Sequence, residues 1–175
     1  SNGKTRPFTI SSMPLIASKS GQSALRKGRH SAPCHAYLIT TVSMGRQRWF
    51  SDPIIAGAVV EKLIDSDLWG DAERLCWVLM PDHLHLLVQL AEDRSLSRLI
   101  QRIKAVTSLT ANRAMGRQGR LWMPGYHDHA LRLDDCLRDV ARYIAWNPVR
   151  AGLVPTPDRY PFWGAIWQGI AEDPG

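Results

Sequence analysis

The run 36–42, Ala-Tyr-Leu-Ile-Thr-Thr-Val, is dense in β-branched and aromatic residues, a composition that suits a pleated, half-buried surface and predicts a strand. The period then changes. Asp52 followed by Pro53 is an N-cap with proline at the first helical position, and Ile55, Val59, Lys62-Leu63 and Ser66 recur at helical spacing, which predicts a helix over 53–66 with one face on a sheet. Two apolar runs, 74–80 and 84–90, flank the turn dipeptide Pro81-Asp82 and read as a hairpin. Leu96, Leu99, Ile100, Ile103 and Val106 line one side of a second amphipathic helix over 95–115. The segment 121–133, with Trp122, Tyr126 and His127-Asp128-His129, reads as part loop and part strand. Asp134 is placed to cap a third helix whose Leu137, Val140, Ala141 and Ile144 share a face and which Pro148 ends.

Strand, helix, strand, strand, helix and further elements describe an α+β, ferredoxin-like sandwich with a central antiparallel sheet and packed helices. A length of 175 residues and a hydrophobic content of 45% are enough for one domain with a real core. Residues 1–30 are rich in Ser, Gly, Lys and Arg without periodicity and read as a flexible basic arm; 31–165 is the domain and 166–175 a tail. Cys34, Cys76 and Cys136 are scattered and odd in number, so reduced, buried small side chains are expected. No run approaches the roughly 18 apolar residues of a membrane span, and no signal pattern is present. A cytoplasmic protein with no membrane partner, monomeric or homodimeric, is expected.

A net charge of +6 favours a polyanionic partner, because bound Lys and Arg release counterions from phosphates. Between 94 and 120 every charged residue is basic: Arg94, Arg98, Arg102, Lys104, Arg113, Arg117 and Arg120. With Arg26, Lys27, Arg29 and Arg150 they form the candidate DNA surface. A solvated charge run is the plainer alternative for any of them. Tyr126, His127 and His129 are candidate DNA contacts, and Trp122, Tyr126 and Trp146 are candidates for stacking on unpaired bases or for core packing.

His83-Leu84-His85 carries the sharpest chemical signal. On a strand, His83 and His85 project from one face while Leu84 and Leu86 project from the other, so two imidazoles aim at one point, a metal-site geometry. Tyr143 and Asn147 lie four residues apart and share a helical face. Asn147 could offer an oxygen as third ligand, and two imidazoles with oxygen ligands suit Mg²⁺ or Mn²⁺. Tyr143 could equally be a core tyrosine. The second pair, His127 and His129, leaves open a four-histidine zinc site.

Three segments, Met80-Pro81-Asp82-His83-Leu84-His85, Tyr126-His127-Asp128-His129-Ala130-Leu131-Arg132 and Ala141-Arg142-Tyr143-Ile144-Ala145-Trp146-Asn147-Pro148-Val149-Arg150-Ala151-Gly152-Leu153-Val154, resemble the REP-associated tyrosine transposases among the single-tyrosine HUH nucleases. The resemblance implies a divalent metal on His83, His85 and Asn147, and Tyr143 as nucleophile. It also implies a metal-dependent endonuclease and strand transferase acting on single-stranded, hairpin-forming repetitive palindromic DNA through a 5′-phosphotyrosine intermediate. A non-catalytic DNA-hairpin or RNA-binding module and a metallohydrolase built on both histidine pairs are the competing expectations.

Overall fold

A computed structural model describes residues 36–91, 94–131 and 136–172. Arg26, Lys27, Arg29, Cys34 and the expected cap Asp134 lie outside the described residues. The elements are β1 (Ala36–Val42), α1 (Pro53–Ile64), β2 (Glu73–Met80), β3 (His83–Gln89), α2 (Leu96–Met115), β4 (His127–Ala130), α3 (Leu137–Ala145), α4 (Asn147–Arg150) and β5 (Trp163–Ala165). Every strand pairing is antiparallel, in the order β4-β1-β3-β2-β5. The first four strands with α1 and α2 form the ferredoxin-like α+β sandwich, and β5 extends it beside β2.

Helix ends follow local chemistry. The Asp52 carboxylate accepts from the Ile54 N–H at 2.8 Å, and Pro53 begins α1 without wasting a donor. The helix stops at Ile64, two residues before the expected end, because Asp65 turns extended and its carboxylate accepts from the Asp67 N–H at 3.0 Å to start a short 3₁₀ turn. Gly116 ends α2 with a left-handed φ of 62°, the conformation glycine adopts without Cβ strain.

Alternation along the strands sorts side chains into two cores. Tyr37, Ile39, Trp77, Leu79, Leu84, Leu86 and Val88 face α1 and α2, meeting Val59, Leu63, Ile100 and Ile103. Cys76, Val78, Met80 and Leu87 face the other way and meet Val140, Ala141 and Ile144 of α3. The sheet therefore has helices on both faces, and strand parity decides which layer a residue serves. This second core also takes Tyr160 and Ile170, so the segment expected as a tail from 166 is packed as far as Ile170. β5 is too short to be legible as a run. Its Gly164 is required by contact: a Cβ there would stand 2.8 Å from Trp77 Nε1.

One expectation about a single residue is overturned, and one open choice is decided. Cys136 is exposed, because it lies at the start of α3 outside the core, whereas Cys76 is buried as expected. Trp122 belongs to the first core: it is 4% exposed and donates its indole N–H to Thr107 Oγ1 at 2.9 Å. Its ring is thereby withheld from bases. Among the described residues no helix is long and apolar enough to cross a membrane.

Candidate active site

His83 and His85 open β3 on the face that packs α3, the side to which Leu87 also points. Their rings meet edge to face at 4.7 Å between centroids. Each Nδ1 is already occupied. Asp82 Oδ1 lies 2.6 Å from His83 Nδ1, and Thr40 Oγ1 lies 2.7 Å from His85 Nδ1. Thr40 reaches that position because it is directly opposite His85 in the β1–β3 register. Arg46 Nη1 also lies 3.7 Å from Asp82 Oδ2. The donor set fits a metal: with Nδ1 of each ring committed, the Nε2 lone pairs are what the pair has to offer, and such outer hydrogen bonds fix ring orientation and tautomer. Burial pushes the His85 imidazole down to about 3, with the charges of His83 and Arg150 contributing in the same direction. A neutral imidazole is the ligating form.

The tyrosine side of the site differs from the expected single helix. α3 ends at Ala145, Trp146 takes φ −83° and ψ 1°, and α4 begins at Asn147. Proline supplies the reason. Pro148 has no N–H to give to Ile144 and its ring crowds that carbonyl, so the helix breaks just ahead of it. The chain then continues helically, with Arg150 N–H bonded to Trp146 O at 3.1 Å and Ala151 N–H to Asn147 O at 2.9 Å. Pro148 thus ends the old helix, as expected, and sits in the first turn of a new one. Asn147 is the first residue of that helix, half-buried, and does not share an unbroken helical face with Tyr143.

Continuation past Pro148 brings Arg150 back over Tyr143. Its guanidinium carbon is 3.9 Å from the centre of the phenol ring, and Nη2 donates to the Tyr143 carbonyl at 2.6 Å. Tyr143 is half-buried and absent from both cores. The Gly152 N–H to Val149 O and Leu153 N–H to Pro148 O bonds, both 2.9 Å, close α4 in a Schellman turn with Gly152 at φ 70°.

The second histidine pair stands apart from the first. His127 and His129 are exposed on the edge strand β4, and β1 lies between β4 and β3. In register, Thr40 sits between His127 on one side and His85 on the other. No group of three or more His, Cys, Asp or Glu residues that could hold a metal occurs among the described residues. The four-histidine zinc centre is therefore not formed.

The expected DNA residues divide similarly. α2 lies on the sheet face opposite α3, so the basic stripe and the histidine pair are in different layers. Arg94 pairs with Asp71, Arg102 Nη1 donates to Leu68 O at 3.4 Å, and Arg117 covers the Trp49 ring at 4.4 Å. Lys104 turns inward, donating from Nζ to the carbonyls of Met123 at 2.6 Å and Gly125 at 2.5 Å. It fastens the loop that leads into β4. Arg98, Arg113 and Arg120 are exposed. Tyr126 is half-buried, its hydroxyl 3.0 Å from Ser97 Oγ, and the Trp146 indole N–H goes to Ile170 O at 3.2 Å. Asp82, Thr40 and Arg46 are site residues that sequence reasoning missed. Adjacency to His83 was a signal for Asp82, whereas Thr40 becomes visible only through strand register.

Fold and site together define a ferredoxin-like α+β domain with a paired-histidine centre on the sheet face covered by a tyrosine-bearing helix. The chain belongs to the family described as Transposase IS200 like, whose model matches residues 33–147. It is similar to the REP-associated tyrosine transposase of Escherichia coli K12, with 32% identity over 87 residues that cover 49% of this chain and 50% of the relative. A Haemophilus influenzae protein that carries the same name provisionally is 30% identical over 100 residues, 51% of this chain and 57% of that protein. The chain thus spans about half the length of the curated relatives it matches. Among solved structures, that of a REP-associated tyrosine transposase bound to a REP hairpin aligns with a TM-score of 0.58 and 23% identity, covering 78% of this chain and 79% of the other. That likeness establishes the shared fold.

Proposed function

We propose that the chain is a metal-dependent, single-tyrosine endonuclease and strand transferase acting on single-stranded DNA that folds into REP-type hairpins. The observation that carries the reading is the pair His83 and His85, each with Nδ1 committed and Nε2 left to offer, on the sheet face packed by α3, the helix whose sequence includes Tyr143. Family membership and relatives named for REP-associated tyrosine transposition support it. So does the solved neighbour, which is described as bound to a REP hairpin. His83, His85 and Asn147 would hold Mg²⁺ or Mn²⁺, and the bound metal supplies Lewis-acid polarisation of the scissile phosphate.

Tyr143 then acts as the nucleophile. Its phenolic oxygen bonds to phosphorus, its proton leaves to solvent, the P–O3′ bond breaks, and the departing 3′ oxygen takes up a proton. The products are a 5′-phosphotyrosyl chain and a free 3′-hydroxyl. Because one phosphodiester replaces another, a 3′-hydroxyl can reverse the step or join a new end without an external energy source. Exposed Arg98, Arg113 and Arg120 hold flanking phosphates, with His127, His129 and Tyr126 on the β4 side. A half-buried tyrosine outside both cores argues against a purely binding module.

Incubation with hairpin DNA and Mn²⁺ followed by a denaturing gel tests the reading. Wild type should form a covalent adduct, whereas Tyr143→Phe should bind the hairpin and form none. Adduct formed by Tyr143→Phe would remove Tyr143 as nucleophile. Hairpin binding without adduct in wild type would leave the binding-module reading in its place.

A further inference from the structure

Arg150 is the cation best placed to act at the tyrosine, and its geometry is more specific than a general DNA contact. Positions 143 and 150 are seven apart, two helical turns, so they meet only because the helical path continues through Pro148. The guanidinium carbon lies 3.9 Å from the centre of the phenol ring, and Nη2 donates to the Tyr143 carbonyl at 2.6 Å. Two anchors on one residue remove most of the freedom of a long side chain. The residue is nevertheless exposed, so the guanidinium retains donors toward solvent.

We propose that Arg150 is the phosphate-binding cation of the cleavage site: it holds the Tyr143 ring by stacking and presents its free donors to the phosphate that the phenolic oxygen attacks. This deepens the nuclease reading and rests on it for the identity of the reaction. An arginine suits the task because a planar fork can stack on an aromatic ring and still bind two phosphate oxygens, which an ammonium cannot do. In the reaction described above the guanidinium neutralises charge as the Oη–P bond forms and the P–O3′ bond breaks, then holds the phosphotyrosine until a 3′-hydroxyl returns. It gives and takes no proton.

The test compares wild type, Arg150→Ala and Arg150→Lys in single-turnover adduct formation with saturating hairpin DNA and Mn²⁺, beside hairpin affinity and thermal melting. Loss of one preorganised donor to a developing charge costs on the order of 10²-fold. Arg150→Ala should therefore lose about 10²-fold in rate with hairpin affinity changed by less than about threefold, and free guanidinium ion should restore part of the rate. Lysine should recover less than arginine provides, since it keeps the charge and loses the stack. A rate within about threefold of wild type in Arg150→Ala, or a loss matched by hairpin affinity alone, overturns the proposal. A second readout separates this from failure of the nuclease reading: the ring resonances of Tyr143 are followed by NMR during titration with phenyl phosphate. If wild type forms no adduct but its Tyr143 resonances shift and those of Arg150→Ala do not, the nuclease reading fails and the phosphate site stands. If phenyl phosphate shifts neither, the site is refuted.

Discussion

Thr40→Val isolates the orientation of His85, one of the proposed ligands, while keeping the shape of the side chain. Thr40 is 8% exposed, and its hydroxyl lies 2.7 Å from His85 Nδ1, so valine places a methyl where the ring nitrogen needs a partner. A buried polar group left without its hydrogen bond costs about 1–3 kcal/mol, which should appear as a lower melting temperature in the metal-free protein. The larger consequence is at the metal. When Nε2 is given to the ion, Nδ1 carries the proton and the Thr40 oxygen accepts it; losing such an outer partner costs about 10- to 100-fold in metal affinity. That corresponds to roughly 1.4–2.7 kcal/mol. Calorimetric titration with Mn²⁺ in a Tyr143→Phe background, free of DNA, reads this directly. Mn²⁺ affinity within twofold of the parent would refute the role assigned to Thr40, and with it the use of His85 through Nε2.

Other expectations follow from single contacts. Thr107→Val should destabilise by about 1–3 kcal/mol, because it strands the buried Trp122 indole N–H; urea midpoints will measure it, and an unchanged midpoint would contradict the burial argument. His85 should make stability depend on pH. Its folded value is depressed to about 3 while the unfolded imidazole titrates near 6.5, so the unfolded state binds the extra proton and stability falls as pH drops from about 6.5 toward 3. Between pH 7 and 5 wild type should lose up to about 2 kcal/mol more than His85→Ala, and parallel pH profiles for the two would count against it. Arg98→Ala should weaken hairpin binding and reduce the salt slope by about one unit if it meets a phosphate, which isotherms at several salt concentrations will decide. Lys104→Met should act differently, lowering the melting temperature by freeing the carbonyls of Met123 and Gly125, and a salt-slope change without destabilisation would return it to the DNA surface.

Most of the sheet was legible because alternation is a local signal. β1, the β2–β3 hairpin and both long helices stand near their expected limits, and strand parity correctly set His83 and His85 on one face. What escaped depended on partners far away in the chain. Lys104 reads as one more basic residue until the loop at 123–125 is folded beneath it. For Trp122, core packing was one of two open readings, and the bond to Thr107 with the antiparallel bridge to Ser43 decides it. Asn147 was placed on a continuous helix with Tyr143 because spacing alone carries no information about the break at Trp146. The same proline does end α3, as read, and it also opens the turn that carries Arg150. His127 and His129 have the same spacing as His83 and His85, and the intervention of β1 sets the two pairs apart.

The strip β5, three residues long, bears on where this domain can be cut. It pairs with Cys76, Trp77 and Val78, and just ahead of it the Tyr160 hydroxyl donates to Leu79 O at 2.6 Å. The family match stops at 147. A fragment trimmed to that limit would bare the long side of β2, whose residues from Leu75 to Met80 are all buried in the intact fold. Unpaired strand edges of that composition recruit other strands. Such a fragment would lose Ile170 and Tyr160 from its second core and gain a sticky margin at once, so it should assemble into aggregates before its chemistry could be assayed, and dissection of this protein has to keep the chain through at least Ile170.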